Sequence, residues 1–169
     1  MEILLVLLLT IVNAVFVMSE MAIVSVRKVR LQQMANQGDA NARVALDLAN
    51  APNQFLATVQ VGITLLVIVS GAFGETVISA KLRPLLELIP AVAAYREVIA
   101  STSAILAVTF LTLIIGELVP KRLALNNPER IAASVAKPMQ MLSQFSSPVV
   151  HLLSAFKDML FMLLVSTRF

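Results

Sequence analysis

Residues 98–121 read VIASTSAILAVTFLTLIIGELVPK, and this stretch decides the class of fold. From Val98 to Val119 the sequence is apolar for the roughly 20 residues that a helix needs to cross a bilayer. It ends in Pro120 and Lys121, with the carboxylate of Glu117 just before them. The stretch therefore predicts a membrane-spanning helix that carries an acidic residue near one end.

The composition of the whole chain supports a membrane location. Of the 169 residues, 59% are hydrophobic and only 14% are charged, whereas a soluble domain is about 45–50% apolar and about 25% charged. Residues 3–26 and 55–80 form two further apolar stretches of spanning length. We expect an all-α integral membrane protein, a single transmembrane domain over residues 1–169, with spans at about 3–26, 55–80 and 98–119.

The distribution of basic residues predicts the orientation of the spans. Lysines and arginines concentrate on the cytoplasmic side of a membrane. The predicted inner side has Arg27, Lys28, Arg30, Arg43, Lys121, Arg122 and Arg130, and the outer loop has Lys81, Arg83 and Arg96. We expect a multi-pass protein of the plasma (inner) membrane, with its N-terminus outside and its C-terminus in the cytoplasm.

Two polar or mixed segments connect and follow the spans. Residues 27–54 are polar and compatible with helix, and Gly38-Asp39 supplies a break and an N-cap, so they predict a cytoplasmic helical hairpin. Residues 128–165 predict amphipathic helices in the inner interface. A fourth span is the alternative, because the segment is apolar overall but interrupted by Lys137-Pro138, Ser146-Ser147-Pro148, His151 and Lys157-Asp158.

Several kinds of site are excluded by composition. The chain has no cysteine and one histidine, His151, so it cannot form a disulfide framework or a histidine-rich metal site. We find no nucleophile–base set and predict no enzyme, and we expect membrane lipid and no nucleic acid as a partner.

Glu2 and the absence of a small-residue cleavage site argue against a cleavable signal. We expect His151 to be interfacial, without a functional role.

Glu117 and its neighbours are the strongest candidates for chemistry. Pro120 has no N–H, so it cannot bond the carbonyl of Gly116 four residues back in a helix. This predicts a free backbone oxygen beside a carboxylate, an arrangement suited to a hard cation. The alternative is that Glu117 pairs with Lys121 at i+4.

Other oxygen-bearing residues lie in or beside the spans. Glu20 and Glu75 are candidates because a charge near the bilayer centre costs roughly 2.5–3.5 kcal/mol. Each of these two carboxylates also has a structural explanation: Glu20 pairs with a basic residue or caps a helix, and Glu75 reaches the outer interface. Ser19 and Ser70 supply hydroxyls, although a serine in a span usually bonds its own helix or eases helix packing. An all-oxygen set suits Mg²⁺ or Ca²⁺, and the residue types do not separate these from Na⁺.

The spacing of these groups raises a geometric problem. At about 1.5 Å per residue, Ser70 would lie over 20 Å from the inner surface if Phe55 marked that surface, much deeper than Ser19 or Glu117. The groups can meet only if the second helix begins below the membrane, or if it breaks near Ser70-Gly71 into half-helices.

The chain resembles the transmembrane domain of the CNNM/CorC family of magnesium transporters. The similar blocks are Ser19-Glu20-Met21-Ala22, residues 55–65 (FLATVQVGITL), Ser70-Gly71-Ala72-Phe73-Gly74-Glu75, Gly116-Glu117-Leu118-Val119-Pro120-Lys121 and Pro128-Glu129-Arg130-Ile131-Ala132. They cover nearly the whole chain, and the blocks at residues 70–75 and 116–121 are quite specific.

The resemblance implies a homodimer of three-span protomers that exports Mg²⁺ from an inward-facing cavity. Its Mg²⁺ ligands would be Ser19, Ser70, Glu117 and the Gly116 carbonyl, and Glu20, Gly71, Glu75 and Pro120 would be secondary or gating residues. A Na⁺ gradient is the driver by analogy. Family members continue into cytoplasmic CBS domains, so we expect this chain to be part of a longer protein.

A function other than transport is the alternative. In this alternative the chain is a non-transporting membrane scaffold or a Mg²⁺ sensor, in which the ion is structural or regulatory. A channel is also compatible with the residues. The residue types do not determine the transport direction, the affinity for the ion or the choice between Mg²⁺ and Ca²⁺.

Overall fold

The computed structural model describes residues 2–166 and confirms an all-helical architecture. Met1 and residues 167–169, the ends of the predicted domain 1–169, lie outside the described residues. The helices are α1 (Glu2–Ser25), α2 (Lys28–Asn36), α3 (Ala40–Asn50), α4 (Pro52–Glu87), α5 (Arg96–Leu113), α6 (Val119–Asn126), α7 (Pro128–Phe145) and α8 (Ser147–Ser166). A 3-10 turn, Ala93–Tyr95, precedes α5, and a π-helical segment, Ile114–Leu118, joins α5 to α6.

The predicted spans lie inside longer helices. Residues Glu2–Ser25, Pro52–Glu87 and Ala93–Asn126 are all long and apolar enough to cross a membrane. α4 begins three residues before the predicted Phe55 because Pro52, which lacks an N–H, fits the first turn of a helix. With 36 residues, α4 is about 54 Å long and exceeds the roughly 30 Å of a hydrocarbon core. Part of it therefore extends beyond the hydrocarbon, or the helix is tilted.

α8 is a fourth helix with the length and composition of a span. Residues Ser147–Leu164 meet the same criteria. Of the expected interruptions, only Ser146-Ser147-Pro148 coincides with a helix boundary, the one between α7 and α8. α7 continues through Pro138, and α8 continues through His151 and the Lys157–Asp158 ion pair, 3.5 Å long. The three-span count and the interfacial placement of residues 128–165 therefore stay predictions.

Residues 27–54 contain a helical hairpin made of α2 and α3. Gly38 adopts φ +98°, a left-handed conformation that glycine tolerates best. The Asp39 carboxylate accepts hydrogen bonds from the N–H groups of Asn41 (2.9 Å) and Ala42 (3.0 Å) and caps α3. The predicted break and N-cap are confirmed, and the cytoplasmic location of the hairpin remains a prediction.

The main apolar core lies where the end of α1, the hairpin, the start of α4, α6 and α7 meet. Most of its fully buried members are alanines, which allow helix backbones to approach closely: Ala22, Ala42, Ala45, Ala124, Ala132 and Ala136, with Leu31 and Phe55. Leu48 is buried and Val44 partly buried in this core. The hairpin thus packs against its own membrane domain.

Glycines set the register of the three long helices α1, α4 and α5. A Cβ at Gly62 would overlap the Phe16 ring, and one at Gly74 would lie 2.5 Å from Val108 Cγ2. Toward the other end of α4, Phe73 shares a cavity with Leu5. α1 is therefore antiparallel to α4, and these contacts fix which turns of the helices lie side by side.

Candidate cation site

A groove of about 620 Å³ lies between α1, α4 and α5. We call it the three-helix groove. Its polar lining residues are Asn13, Glu20, Gln60, Thr109, Thr112, Glu117 and Lys121, and its other lining residues are Val17, Ile63, Val67, Gly71, Ile105, Val108 and Leu113. Two of the predicted carboxylates, Glu20 and Glu117, therefore share one groove inside the spanning region.

The groove is elongated, and its charge is concentrated at one end. Gln60 and Gly71 both line it and are eleven residues apart on α4, so it extends about 16 Å along the helix axis. Glu20 and Lys121 lie at the end predicted to be cytoplasmic, whereas Ile105 lies at the opposite end. One end can hold a cation, and the other offers mostly apolar surface.

Glu117 is paired within its own helix. It belongs to the π-helical segment, and its Oε1 accepts a hydrogen bond of 2.5 Å from Lys121 Nζ. The two side chains are 45% and 41% exposed. The i+4 pair that the sequence offered as an alternative is therefore present, and the carboxylate still faces the groove.

The Gly116 carbonyl is not free, contrary to the prediction from Pro120. Asn13 Nδ2 donates a hydrogen bond to it at 3.2 Å. The physical reason is the missing side chain of Gly116, which lets α1 approach so closely that a Cβ there would lie 3.0 Å from Asn13 Nδ2. The proline removes the helical donor, and an amide from another span replaces it.

Asn13 is the residue that the sequence reasoning missed. It is only 2% exposed and lines the groove. Its Oδ1 is buried without a hydrogen-bond partner in the described part of the chain, although buried polar atoms are normally paired. The available signal was an amide in the middle of an apolar run, where a polar side chain should face protein or a cavity.

Ser19 and Ser70 lie at different levels and outside the groove lining. Ser19 Oγ donates to the Val15 carbonyl at 2.6 Å, whereas Ser70 Oγ is buried without a partner among residues 2–166. Starting from the contact of Phe16 with Gly62, Ser19 lies three residues in one direction and Ser70 eight in the other. These eleven residues correspond to about 16 Å along the axis.

A single Mg²⁺ ion cannot contact both serines in this conformation, because its ligands lie at about 2.0–2.1 Å. α4 is continuous through Ser70 and Gly71, so the half-helix solution is not present. The helix does start earlier than Phe55, at Pro52, but this extension does not bring the two hydroxyls together.

The four residues expected to be secondary or gating have different surroundings. Glu20 and Gly71 line the groove, and Glu20 has no ion-pair partner in the part of the chain that the structure describes. Glu75 is partly buried outside the groove lining, and α4 continues twelve residues beyond it to Glu87. Pro120 is buried directly after the π-helical segment, a type of distortion that is frequent at functional sites.

The donor set of the groove is poor in charge. Among the described residues, no group of three or more His, Cys, Asp or Glu side chains could hold a metal ion together. Carboxylate, amide and hydroxyl oxygens are the ligands that Mg²⁺ prefers, and Mg²⁺ usually keeps several of its waters in proteins. The groove could therefore hold a partly hydrated hard cation.

A buried carboxylate lies outside the groove, at the start of α7. Glu129 Oε1 accepts a hydrogen bond of 3.0 Å from Arg27 Nε, which joins the end of α1 to α7. Burial by itself would raise the pKa of Glu129. The hydrogen bond and charge of Arg27, with a smaller contribution from Arg30, outweigh burial and hold this pKa below its ordinary value.

Comparison with known proteins identifies relatives over almost the whole chain. UPF0053 protein sll0260 of Synechocystis sp. is 44% identical over 158 residues, which are 94% of this chain and 35% of the relative. UPF0053 protein YhdP of Bacillus subtilis is 31% identical over 153 residues, 90% of this chain and 34% of the relative. The polyamine export protein of Haemophilus influenzae is 30% identical over 151 residues, 89% of this chain and 35% of the relative.

The chain spans about a third of the length of these relatives. The family model described as the cyclin M transmembrane N-terminal domain (CNNM) matches residues 3–167. This match covers the long helices and all residues of the three-helix groove. The chain therefore belongs to the CNNM transmembrane-domain family and is a multi-pass membrane protein.

Proposed function

We propose that this chain transports a hard cation, Mg²⁺, across the membrane through the three-helix groove. The observation that carries the proposal is the placement of Glu20 and Glu117 on one groove between membrane-spanning helices. Carboxylates at such depth cost free energy unless they serve a ligand or a partner. Family membership supports a transporter-type role rather than an enzymatic one.

Glu117 supplies the main negative charge of the proposed site. Asn13 and Thr112, which carry an amide oxygen and a hydroxyl, line the same groove, and the Gly116 carbonyl has a second lone pair besides the one that Asn13 uses. Ser19 and Ser70 would contact the ion at other stages or after a rearrangement, because they lie at two levels. A set with so few charges would bind weakly, and weak binding favours release.

Export from the cytoplasm is the proposed direction. The end of the groove with Glu20 and Lys121 adjoins Arg122, one of the basic residues that predict the inner side. Loading would then occur from inside. Coupling to a Na⁺ gradient and a homodimeric assembly are part of the proposal by family resemblance.

Calorimetry tests the site directly. Mg²⁺ is titrated into the purified wild type, into Glu117→Ala, and into Asp47→Ala, which removes an exposed carboxylate of α3 outside the groove lining, with Ca²⁺ and Na⁺ as competitors. We expect a saturable Mg²⁺ signal that Glu117→Ala loses and Asp47→Ala keeps, with helicity unchanged. Equal binding by wild type and Glu117→Ala would contradict the site.

Flux into liposomes separates transport from the scaffold or sensor alternative. The purified chain is reconstituted with a Mg²⁺-sensitive dye inside the vesicles. A transporter produces a dye response that Glu117→Ala abolishes, whereas a scaffold binds the ion and moves none. A flux that does not saturate with Mg²⁺ concentration would indicate a channel.

A linear polyamine is a second candidate substrate. The groove is about 16 Å long, with carboxylates at one end and apolar residues such as Ile105 and Val67 toward the other. This distribution fits an ammonium group followed by an alkyl chain, and one relative is named a polyamine export protein. Flux of labelled putrescine in the same liposomes, with Mg²⁺ as competitor, decides between the two substrates.

A further inference from the structure

Lys121 occupies the place where a transported cation would meet Glu117. Its Nζ donates to Glu117 Oε1 at 2.5 Å, and both side chains line the three-helix groove. The pair lies where the π-helical segment passes into α6. An ammonium group at hydrogen-bond distance from the carboxylate is chemically similar to the charged end of a polyamine and competes with any cation for the same oxygen.

The Glu117–Lys121 pair changes the net charge of the groove. Its lining contains two carboxylates, Glu20 and Glu117, and one ammonium, Lys121. Pairing leaves one net negative charge in the empty groove and keeps Glu117 from being an unpaired charge within the membrane. When a doubly charged cation replaces Lys121 at Glu117, the groove becomes neutral.

We propose that Lys121 is a tethered counter-cation that binds Glu117 in the empty groove and is displaced by the transported cation. This inference rests on the proposed function. It makes Lys121 a specificity-determining residue, because a ligand must attract Glu117 more strongly than a single ammonium does. A divalent ion meets this condition, a diammonium chain meets it by placing its second ammonium at Glu20, and Na⁺ meets it poorly.

The lysine side chain at position 121 has the properties needed to give up its place at Glu117 to a cation. A lysine has a flexible four-carbon stem and a compact charge, and such stems can carry the ammonium toward an aqueous interface. The Lys121 side chain is already 41% exposed, so its outward path is open. Arg122, the next residue, is exposed and does not line the groove, which makes it a matched control.

Calorimetry on the 169-residue chain in detergent tests the inference, with MgCl₂ and putrescine titrated separately into wild type and variants. Removing an ion-pair competitor of this exposure should change affinity by about two- to fivefold. We expect Lys121→Gln to bind Mg²⁺ more tightly by that factor and to discriminate less against Na⁺. Lys121→Arg, which keeps the charge, should stay near the wild-type affinity, and so should Arg122→Gln.

The outcomes distinguish the proposed role of Lys121 from the proposed transport site. Equal or weaker Mg²⁺ binding by Lys121→Gln, with binding still lost in Glu117→Ala, overturns the role of Lys121 and leaves the transport site intact. Absence of binding of both Mg²⁺ and putrescine to every variant overturns the transport proposal and the inference together. Putrescine binding alone, strengthened in Lys121→Gln, supports displacement by an ammonium ligand.

A second measurement needs no variant at position 121. The rate at which an amine-reactive reagent labels Lys121 is followed by mass spectrometry with and without saturating Mg²⁺. Displacement predicts faster labelling of Lys121 when Mg²⁺ is bound, and an unchanged rate for Lys157, which lies outside the groove. Slower or unchanged labelling of Lys121 would overturn the inference.

Discussion

The side-chain amide of Asn13 on α1 is hydrogen-bonded to the backbone carbonyl of Gly116, 3.2 Å away and 103 residues later in the chain. This bond fastens the first span to the turn that carries Glu117. It takes the place of the helical hydrogen bond that Pro120 cannot make. The position of the carboxylate in the groove therefore depends on a residue of another helix.

Replacing Asn13 should loosen this connection. Asn13→Ala leaves the buried Gly116 carbonyl without its donor, and an unsatisfied buried group costs about 1–3 kcal/mol. We expect a lower free energy of unfolding by that amount, measured by thermal unfolding in detergent, and weaker Mg²⁺ binding by calorimetry.

Thr10→Ala is the matched control for this prediction. Thr10 is also buried on α1, but its hydroxyl bonds the Val6 carbonyl of its own helix at 2.9 Å. Its loss should cost less than that of Asn13. An equal loss of stability in the two variants would show that the bond between the helices contributes no more than a bond within one helix.

The contact between Gly62 and Phe16 should tolerate no added methyl group. A Cβ at Gly62 would overlap the Phe16 ring, and overpacking typically costs about 1–3 kcal/mol. We expect Gly62→Ala to be destabilised by this amount in thermal unfolding and Phe16→Leu to restore part of the loss. Gly71→Ala, whose Cβ would meet no atom within 4 Å, should be tolerated, and a similar loss in both glycine variants would contradict the contact.

Ser70 should be dispensable for folding. Its buried hydroxyl has no partner in the described residues, so Ser70→Ala removes a polar group that costs free energy where it is. We expect a stability equal to the wild type or up to about 1 kcal/mol higher, together with reduced Mg²⁺ flux if the hydroxyl serves the ion. A clear loss of stability would show that Ser70 has a structural partner.

The Arg27–Glu129 pair predicts loss of stability in acid. The pKa of Glu129 is lowered in the folded chain, so the pair stabilises the fold fully above the ordinary pKa of 4.5 and less as pH falls through the lowered value. In thermal unfolding, we expect the difference between wild type and Glu129→Gln to be constant near neutral pH and to shrink in acid. A difference that grew as pH fell would contradict the direction of the shift.

The sequence predicted part of the candidate site. Glu117 stood out because a carboxylate in an apolar run is rare and costly, and it does line the groove. The predicted free carbonyl of Gly116 was wrong, because local reasoning counts only the donors of the same helix. Asn13 could not be identified as its partner without knowing which turn of α1 lies beside the π-helical segment.

The sequence by itself determined the class of protein, its long apolar helices and the hairpin with its Asp39 cap. These follow from hydrophobic length and from local hydrogen bonding, which depend on neighbours in the chain. Only the tertiary structure decided that Asn13 meets Gly116, that Glu20 and Glu117 share one groove, and that Ser19 and Ser70 lie about 16 Å apart along the helix axis. The physical reason is helix register, which is set by close contacts between distant residues such as Phe16 and Gly62.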